Sequence, residues 1–186
     1  MPHGRWSTKN GQDWSTLLAG LPYDVQASLF NRLQDRTDLN PASCYRIPLL
    51  LSTQRLTVNA GAATTSSFRF LSLTAVYGIS RSFDNETGSA APANVSNATL
   101  VYPSEVNIQI SFNQGATTWI GSAAEPCTLA SIGDAGGLNA TRVDPIVATM
   151  NDVWNLTLTG QAGLANAAFS TVTLHGVKIY SAGGQV

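Results

Sequence analysis

Charged side chains are scarce in this 186-residue chain: Asp, Glu, Lys and Arg make up 11% of it, against about 25% in an average soluble protein. The formal net charge is −1, so no excess of cations is present to bind phosphates, and we expect no nucleic acid as a direct partner. Ser, Thr, Ala, Asn and Gly are plentiful instead. These side chains lose little rotamer entropy and no full charge on leaving water. The composition suits either a surface covered by neighbours or the neutral coat of a secreted β-protein.

Long apolar runs are also missing. The longest clean stretch, residues 47–51, contains Pro48 and is far shorter than a membrane span, so we expect no membrane crossing. The opening residues, MPHGRWSTKNGQDW, lack the apolar core of a secretory signal, so export by that route is not expected.

Few residues suited to catalysis or metal binding occur. Cys44 and Cys127 form no CxxC motif, and whether they form a disulfide stays open. His3 and His175 are the only two histidines, and no GxSxG motif accompanies them. The acidic residues stand singly, mostly in predicted loops, where solvated carboxylates are far commoner than calcium ligands. We therefore predict no enzyme, no cofactor and no bound metal.

Helical spacing is confined to the first part of the chain, residues 1–45. Trp14, Leu17 and Leu18 recur between Asp13, which can cap a helix, and Gly20, which can end one. A second helix is predicted over residues 22–34, where three apolar residues lie four apart on one face. Both helices are too short to be stable alone. This segment must dock either on the chain's own sheet or, as an arm, on a neighbouring subunit.

From residue 46 onward the hydrophobic period is two. In EVNIQISFN, residues 105–113, apolar and polar residues alternate, as in a strand with one buried face. Further strands are predicted over residues 47–52, 55–59, 66–80, 118–121, 127–132, 143–149, 153–160 and near the chain end. No longer helical pattern separates them, so residues 46–186 are predicted to form an antiparallel β-sandwich and not a parallel α/β sheet.

The connections between the predicted strands are uneven in length. Residues 84–104 and 133–141 are predicted to be long loops, which in compact domains usually contact a ligand or a neighbour. About eight strands with a few long crossings are what a single jelly roll requires. The predicted fold is therefore an all-β single jelly roll of about eight strands, preceded by a short helical N-terminal arm.

The last strand has an irregular apolar pattern. Its apolar positions are even-numbered as far as Leu174 and odd-numbered from Val177 onward. This shift predicts a β-bulge at His175 and Gly176. A histidine beside a bulge most simply makes a local hydrogen bond, so we predict that role for His175.

The C-terminal block, DPIVATMNDVWNLTLTG and then AFSTVTLHGVKIYSAGG, resembles the closing strands of single jelly-roll structural proteins of bacteriophage virions. The matching positions are Pro145 and Ile146, residues 156–160 and residues 174–180. The resemblance implies a capsid subunit or a cement (head-decoration) protein, made in the host cytoplasm and assembled into the phage head. It implies as partners copies of the same chain and other shell proteins, in a homotrimer or a higher closed oligomer.

Under this resemblance the protein acts by binding its neighbours, with no turnover. Low-charge faces would meet neighbouring subunits, and a few large side chains would provide most of the binding energy. An arm that reaches onto the next subunit would add affinity through effective concentration. The predicted anchors of that arm are Trp6, Trp14, Leu17 and Leu18.

The alternative function is a β-sandwich module of a phage fibre or spike that binds a receptor or a glycan. Such a module needs exposed aromatic platforms, and the candidates are Trp119, Tyr77 and Tyr102.

Overall fold

Two β-sheets pack face to face as a sandwich, and two helices lie on the outer face of one of them. The structure is a computed structural model that describes residues 6–85, 100–112, 117–122, 124–134, 140–164 and 166–186. The centres of the two predicted loops, residues 86–99 and 135–139, lie outside the described residues.

The helices and strands occur where the sequence periodicity changes, with the helices first. The helices are α1 (Ser15–Leu18) and α2 (Tyr23–Leu33), and short 3-10 turns occupy Pro41–Ser43, Pro103–Glu105 and Leu129–Ser131. The strands are β1 (Cys44–Ser52), β2 (Leu56–Val58), β3 (Ala63–Arg69), β4 (Thr74–Asp84), β5 (Val106–Phe112), β6 (Thr117–Ile120), β7 (Cys127–Thr128), β8 (Gly133–Asp134), β9 (Thr141–Ala148), β10 (Val153–Gly160), β11 (Ala168–Ser181) and β12 (Gly184–Gln185). None of the helices in the described residues has the length and apolarity that a membrane crossing requires.

The first sheet is organised around the long strand β11. On one side β11 pairs antiparallel with β1 and then β2, and on the other side it pairs antiparallel with β4. Beyond β4 lies β9, also antiparallel, together with the short parallel strand β8. In the second sheet β10 lies between β3 and β5, and β6 and β7 follow β5; all of these pairs are antiparallel.

The pairing follows a regular order along the chain. We count β1 with β2, β6 with β7, and β8 with β9 as one position each and leave out the short β12, so the described strands occupy eight positions, four in each sheet. The first position pairs with the eighth, the second with the seventh, the third with the sixth and the fourth with the fifth. The chain therefore follows the course of one long antiparallel ribbon folded over into two sheets.

The core between the sheets comes from the alternating apolar residues that the sequence indicated. The inward side chains of β10, which are Trp154, Leu156 and Leu158, are at most 1% exposed and pack with Ile108 and Ile110 of β5. Burial of such side chains stabilises the fold by roughly 1.5–3 kcal/mol each before entropy is counted. The predicted strands at residues 153–160 and 105–113 are confirmed.

Two predicted strands are wrong. Of residues 127–132, only Cys127–Thr128 form a strand, and Leu129–Ser131 form a 3-10 turn. The apolar run over residues 66–80 is not a single strand, because the chain leaves β3 after Arg69 and enters β4 at Thr74. The two strands belong to different sheets, so the four residues between them carry the chain from one layer to the other. Periodicity did not mark this crossing, because Phe70 and Leu73 stay buried through it, in different clusters.

A second apolar cluster joins the helices to the outer face of the first sheet. Val25, Leu29 and Leu33, which lie four apart on α2, are fully buried and belong to one cluster with Val177 and Ile179 of β11. The predicted second helix and its buried face are therefore confirmed. Helices this short gain most of their stability from such packing and not from their own propensity.

The predicted bulge is present, but the extra residue lies on the neighbouring strand. The register between β4 and β11 shifts at His175 and Gly176, where Gly176 pairs with Val76 and His175 with Gly78, so that Tyr77 has no partner on β11. The pairing of β11 with β1 shows no register shift, so β11 itself carries no extra residue. Its apolar face changes because the second sheet covers one face as far as Leu174 and the helices cover the opposite face from there on.

Candidate assembly surface

The edge strand β1 exposes large apolar side chains on both of its faces, Tyr45 and Ile47 on one and Leu50 on the other. Leu50 is 71% exposed, Tyr45 50% and Ile47 43%. Among the described strands β1 pairs only with β11, so its other edge has no strand beside it. Natural proteins usually shorten, charge or cover an edge of this kind, because it can pair with another chain. This apolar edge is the most distinctive surface of the described residues.

Pro48 lies in the middle of this edge and limits how it can be used. The amide of Thr53 donates to the carbonyl of Val172 on β11, so odd-numbered residues of β1 point their main-chain groups inward and even-numbered ones point outward. Pro48 is thus in the outward row, where it supplies no N–H donor. The edge cannot continue as an uninterrupted hydrogen-bonded ladder, so side chains must supply much of any contact with it.

A cavity of about 440 Å³ adjoins the first residues of β1. Leu17 of α1 and Arg46 of β1 are among the residues that line it. The Arg46 guanidinium is held in place by a 2.8 Å hydrogen bond to the carbonyl of Ala19, at the end of α1. Because alternate residues share a face, Leu50 projects from the same face of the sheet as Arg46.

The outer face of the second sheet is neutral and polar. Hydroxyl and amide side chains bond across neighbouring strands: Thr65 lies 2.9 Å from Thr157, and Ser67 donates to Asn155 at 2.7 Å. Their polar groups satisfy one another in part, so less hydrogen bonding to water is lost when a neighbour covers them. This face suits the low-charge contacts predicted from the composition.

The structure places three of the four predicted arm anchors beneath the chain's own helices. Trp14 and Leu18 are fully buried and Leu17 is 7% exposed, in the cluster shared by the helices and the first sheet. Docking on the chain's own sheet, one of the two alternatives left open by the sequence, is thus the arrangement found. A contact of these residues with a neighbouring subunit stays a prediction, and it would require the helical segment to leave its own sheet.

Trp6, the fourth predicted anchor, is half-buried against α2. Its indole Nε1 donates to the side-chain carbonyl of Gln26 at 2.7 Å, and its ring lies 5.3 Å from that of Phe30 and 5.7 Å from that of Tyr23. Its role in a subunit interface also stays a prediction.

His175 makes the local contact that the sequence predicted. Its Nε2 lies 2.7 Å from the hydroxyl oxygen of Ser80, and partial burial lowers the pKa of the imidazole. A serine beside a histidine is the first element of a hydrolytic site. Ser80, however, is only 2% exposed, so its hydroxyl is out of reach of a substrate in this conformation.

A buried arginine is the polar residue that sequence reasoning missed. The Nε of Arg81 donates to the carbonyls of Leu129 and Ile132 at 2.7 and 3.0 Å, and a terminal nitrogen lies 2.7 Å from Asp134. Arg81 thereby fixes the 3-10 turn and β8 against β4. No local pattern marks it, because its partners lie about 50 residues further along the chain.

The aromatic platforms proposed for glycan binding are mostly covered. Trp119 is half-buried, with its ring 5.3 Å from that of Trp154 and its Nε1 donating to the carbonyl of Asp144 at 3.2 Å. Tyr77 packs against the helical cluster. Tyr102 alone among the three is well exposed, at 48%.

The sulfur and carboxylate groups of the described residues are dispersed. Cys44 and Cys127 are both free thiols, and burial raises the pKa of the Cys44 thiol. No three His, Cys, Asp or Glu side chains come together to hold a metal within the described residues. Asp24, whose pKa is lowered mainly by its hydrogen bond with Arg142, ties α2 to β9 at the surface.

Comparisons with known proteins identify no relative: no protein-family model matches the chain, and no curated protein matches it.

Proposed function

We propose that this chain is a virion structural protein, a capsid subunit or a cement protein that stabilises a phage head through contacts between many copies. The observation that carries the proposal is the group of exposed large apolar side chains, Tyr45, Ile47 and Leu50, on the two faces of the unpaired edge strand β1. An unpaired edge strand with large exposed apolar side chains is typical of a surface that another chain covers. In a particle, that edge would be covered by the next subunit.

The sandwich proposed for this role is a single jelly roll. The ribbon-like pairing of the eight strand positions, first with eighth through fourth with fifth, supports it, as does the four-and-four division between the sheets. Jelly rolls of eight strands are common in viral capsid proteins, and they occur in lectins and enzymes as well. The fold alone does not decide function, so the proposal depends on the features of the surface.

The proposed mechanism is association without chemical turnover. Tyr45, Ile47 and Leu50 supply apolar area at the edge, and the neutral outer face of the second sheet supplies polar area that is cheap to desolvate. A specific contact of standard size covers about 800 Å² per partner, with most of the energy from a few large side chains. Repetition by symmetry turns many such modest contacts into a stable shell.

Native mass spectrometry and electron microscopy of the purified full-length chain test this proposal. We expect closed oligomers, trimers or larger, whose population rises with protein concentration, and regular arrays or shells in the images. A chain that stays monomeric at every concentration and binds no phage head would contradict the proposal. Binding of that monomer on a glycan array or to host cells would favour the fibre or spike module, with Tyr102 as its exposed aromatic residue.

A further inference from the structure

The apolar edge strand β1 carries a projecting side chain and a cavity on the same face. Leu50 is the most exposed of the large apolar side chains, at 71%. Four residues back along the strand, Arg46 lines the 440 Å³ cavity beneath α1. In an extended strand four residues span about 13 Å.

We infer that β1 is an isologous interface at which two copies of this chain meet about a twofold axis near Pro48. In an antiparallel arrangement about that axis, residue 50 of one copy lies beside residue 46 of the other. Leu50 of each copy then enters the cavity that Leu17 and Arg46 line in its partner. The inference rests on the proposed function, since it names the partner for the same edge.

A second copy fits this edge better than an unrelated chain does. About a twofold axis the Leu50 side chain of each copy meets the cavity of the other, so the same contact forms twice. The cavity volume is in the range of small-ligand sites and has room for one aliphatic side chain. The Arg46 guanidinium is positioned by its bond to the carbonyl of Ala19, and Asp13, which also lines the cavity, supplies a charge of opposite sign. Each copy would meet the other with a largely neutral strand.

The area of this edge is sufficient for a small specific interface. β1 has nine residues and is about 30 Å long. The edge of the second sheet lies beside it, since Thr64 of β3 bonds the carbonyl of Thr57 on β2 at 2.6 Å. Two sheets about 10 Å apart, with their side chains, present an edge about 20 Å high. The contact would cover about 600 Å² per copy, near the lower limit for stable complexes.

Pro48 sets the character of the contact. At the axis, each copy lacks the N–H that a continuous sheet would need, so the two sheets cannot merge into one ladder. The contact therefore relies mainly on side chains, and because it is twofold it ends at two copies. A trimer or ring would need a further surface besides β1.

Charge substitution at Leu50 is the first test. We expect Leu50→Asp to raise the dissociation constant of the dimer at least about tenfold, the effect of an interface hot spot, as measured by sedimentation equilibrium of the full-length chain. Met150→Asp is the matched control, since Met150 is 50% exposed and lies outside β1. Because Leu50 is exposed in the single chain, circular dichroism should show both variants folded. An unchanged dissociation constant for Leu50→Asp would overturn the inference.

Cysteine crosslinking locates the axis. In a chain with Cys44→Ser and Cys127→Ser, Pro48→Cys should form an interchain disulfide under mild oxidation, because residues at a twofold axis come within the roughly 7 Å that a disulfide spans. Ser52→Cys is the control, since the same axis would leave its two copies about 26 Å apart. Crosslinking at residue 52 and not at residue 48 would contradict the proposed axis.

The two proposals fail in different ways. A large assembly that persists in Leu50→Asp would overturn the β1 contact and leave the shell proposal standing. A chain that forms a Leu50-dependent dimer and nothing larger, and binds no phage head, would support the contact and overturn the shell proposal.

Discussion

His175 Nε2 lies 2.7 Å from the hydroxyl oxygen of Ser80, across two neighbouring strands of the first sheet. The contact forms beside the bulge, where His175 faces Gly78. Gly78 leaves little spare room, since a Cβ built there would lie 3.2 Å from the Cβ of His175. The imidazole is therefore held in one place at the point where the two strands change register.

The first prediction concerns the pH dependence of stability. Burial holds the pKa of His175 below its ordinary value of 6.5, so on acidification the unfolded chain binds a proton before the folded chain does. The stability that comes from the neutral imidazole is complete above about pH 6.5 and is lost as the pH falls towards the folded-state pKa. Urea unfolding between about pH 7 and pH 5 should show a steeper loss in the natural chain than in His175→Gln.

The contribution of His175 to the pH dependence has an upper limit, and the second histidine provides a control. One titrating group changes the unfolding free energy by at most about 1.4 kcal/mol per pH unit. His3→Gln removes the other histidine and should keep the pH dependence of the natural chain. If the unfolding free energies of the natural chain and of His175→Gln fall equally with pH, the prediction is contradicted.

The second prediction concerns the bulge itself. A Cβ built on Gly176 would overlap the carbonyl oxygen of Ala75 on β4. We expect Gly176→Ala to lower the free energy of unfolding by at least about 2 kcal/mol, since the backbone of two central strands would have to separate. Gly163→Ala is the control, because nothing lies within 4 Å of a Cβ there. Equal unfolding free energies of the two variants would contradict the close approach of Gly176 to the Ala75 carbonyl oxygen.

The third prediction tests where the helical segment is docked. Leu18 is fully buried against the chain's own sheet, so Leu18→Ala should lose about 2–4 kcal/mol of unfolding free energy. Exposed Thr16 provides the control, with an expected change for Thr16→Ala within about 0.5 kcal/mol. Both should be measured by denaturant unfolding at a concentration where the chain is monomeric. If monomeric Leu18→Ala has the same unfolding free energy as the unsubstituted chain, the helical segment does not pack on its own sheet in solution.

The fourth prediction separates the two partners of one ion pair. The Arg81 side chain is 11% exposed and satisfies two carbonyls, whereas the Asp134 side chain is 71% exposed. Arg81→Ala removes a buried donor from both carbonyls, although the Leu129 carbonyl keeps the amide of Ile132, and should cost about 3 kcal/mol of unfolding free energy. Asp134→Ala should cost under about 1 kcal/mol, because water already screens the carboxylate. Thermal and urea unfolding of both variants provide the comparison, and similar losses would disprove the assigned role of Arg81.

Much of the secondary structure could be predicted from short-range patterns. The alternation around Ile108 and Ile110 depends on one strand having one buried face, and that property is local. The helical spacing of Val25, Leu29 and Leu33 is local in the same sense. Asp13 accepts the amide of Ser15 at 2.9 Å, but it lies one residue before the N-cap, which is Trp14.

The candidate surface on β1 was harder to predict from the sequence. Leu49 and Leu50 are adjacent and chemically identical, yet one is 2% exposed and the other 71%. Pro48 was the available signal, because proline within a strand indicates an edge. It indicates an edge without saying which face is uncovered or whether a cavity lies beside it.

The sequence by itself determined where most strands and helices form and which residues alternate, because those properties depend on neighbours a few positions apart. Tertiary structure alone decided what covers each face. It placed the second sheet over Leu174 and the helices over Val177, left Leu50 in water and enclosed Arg81. The physical reason is that a side chain is buried by residues far away in the chain, and the local sequence pattern does not predict which residues those are.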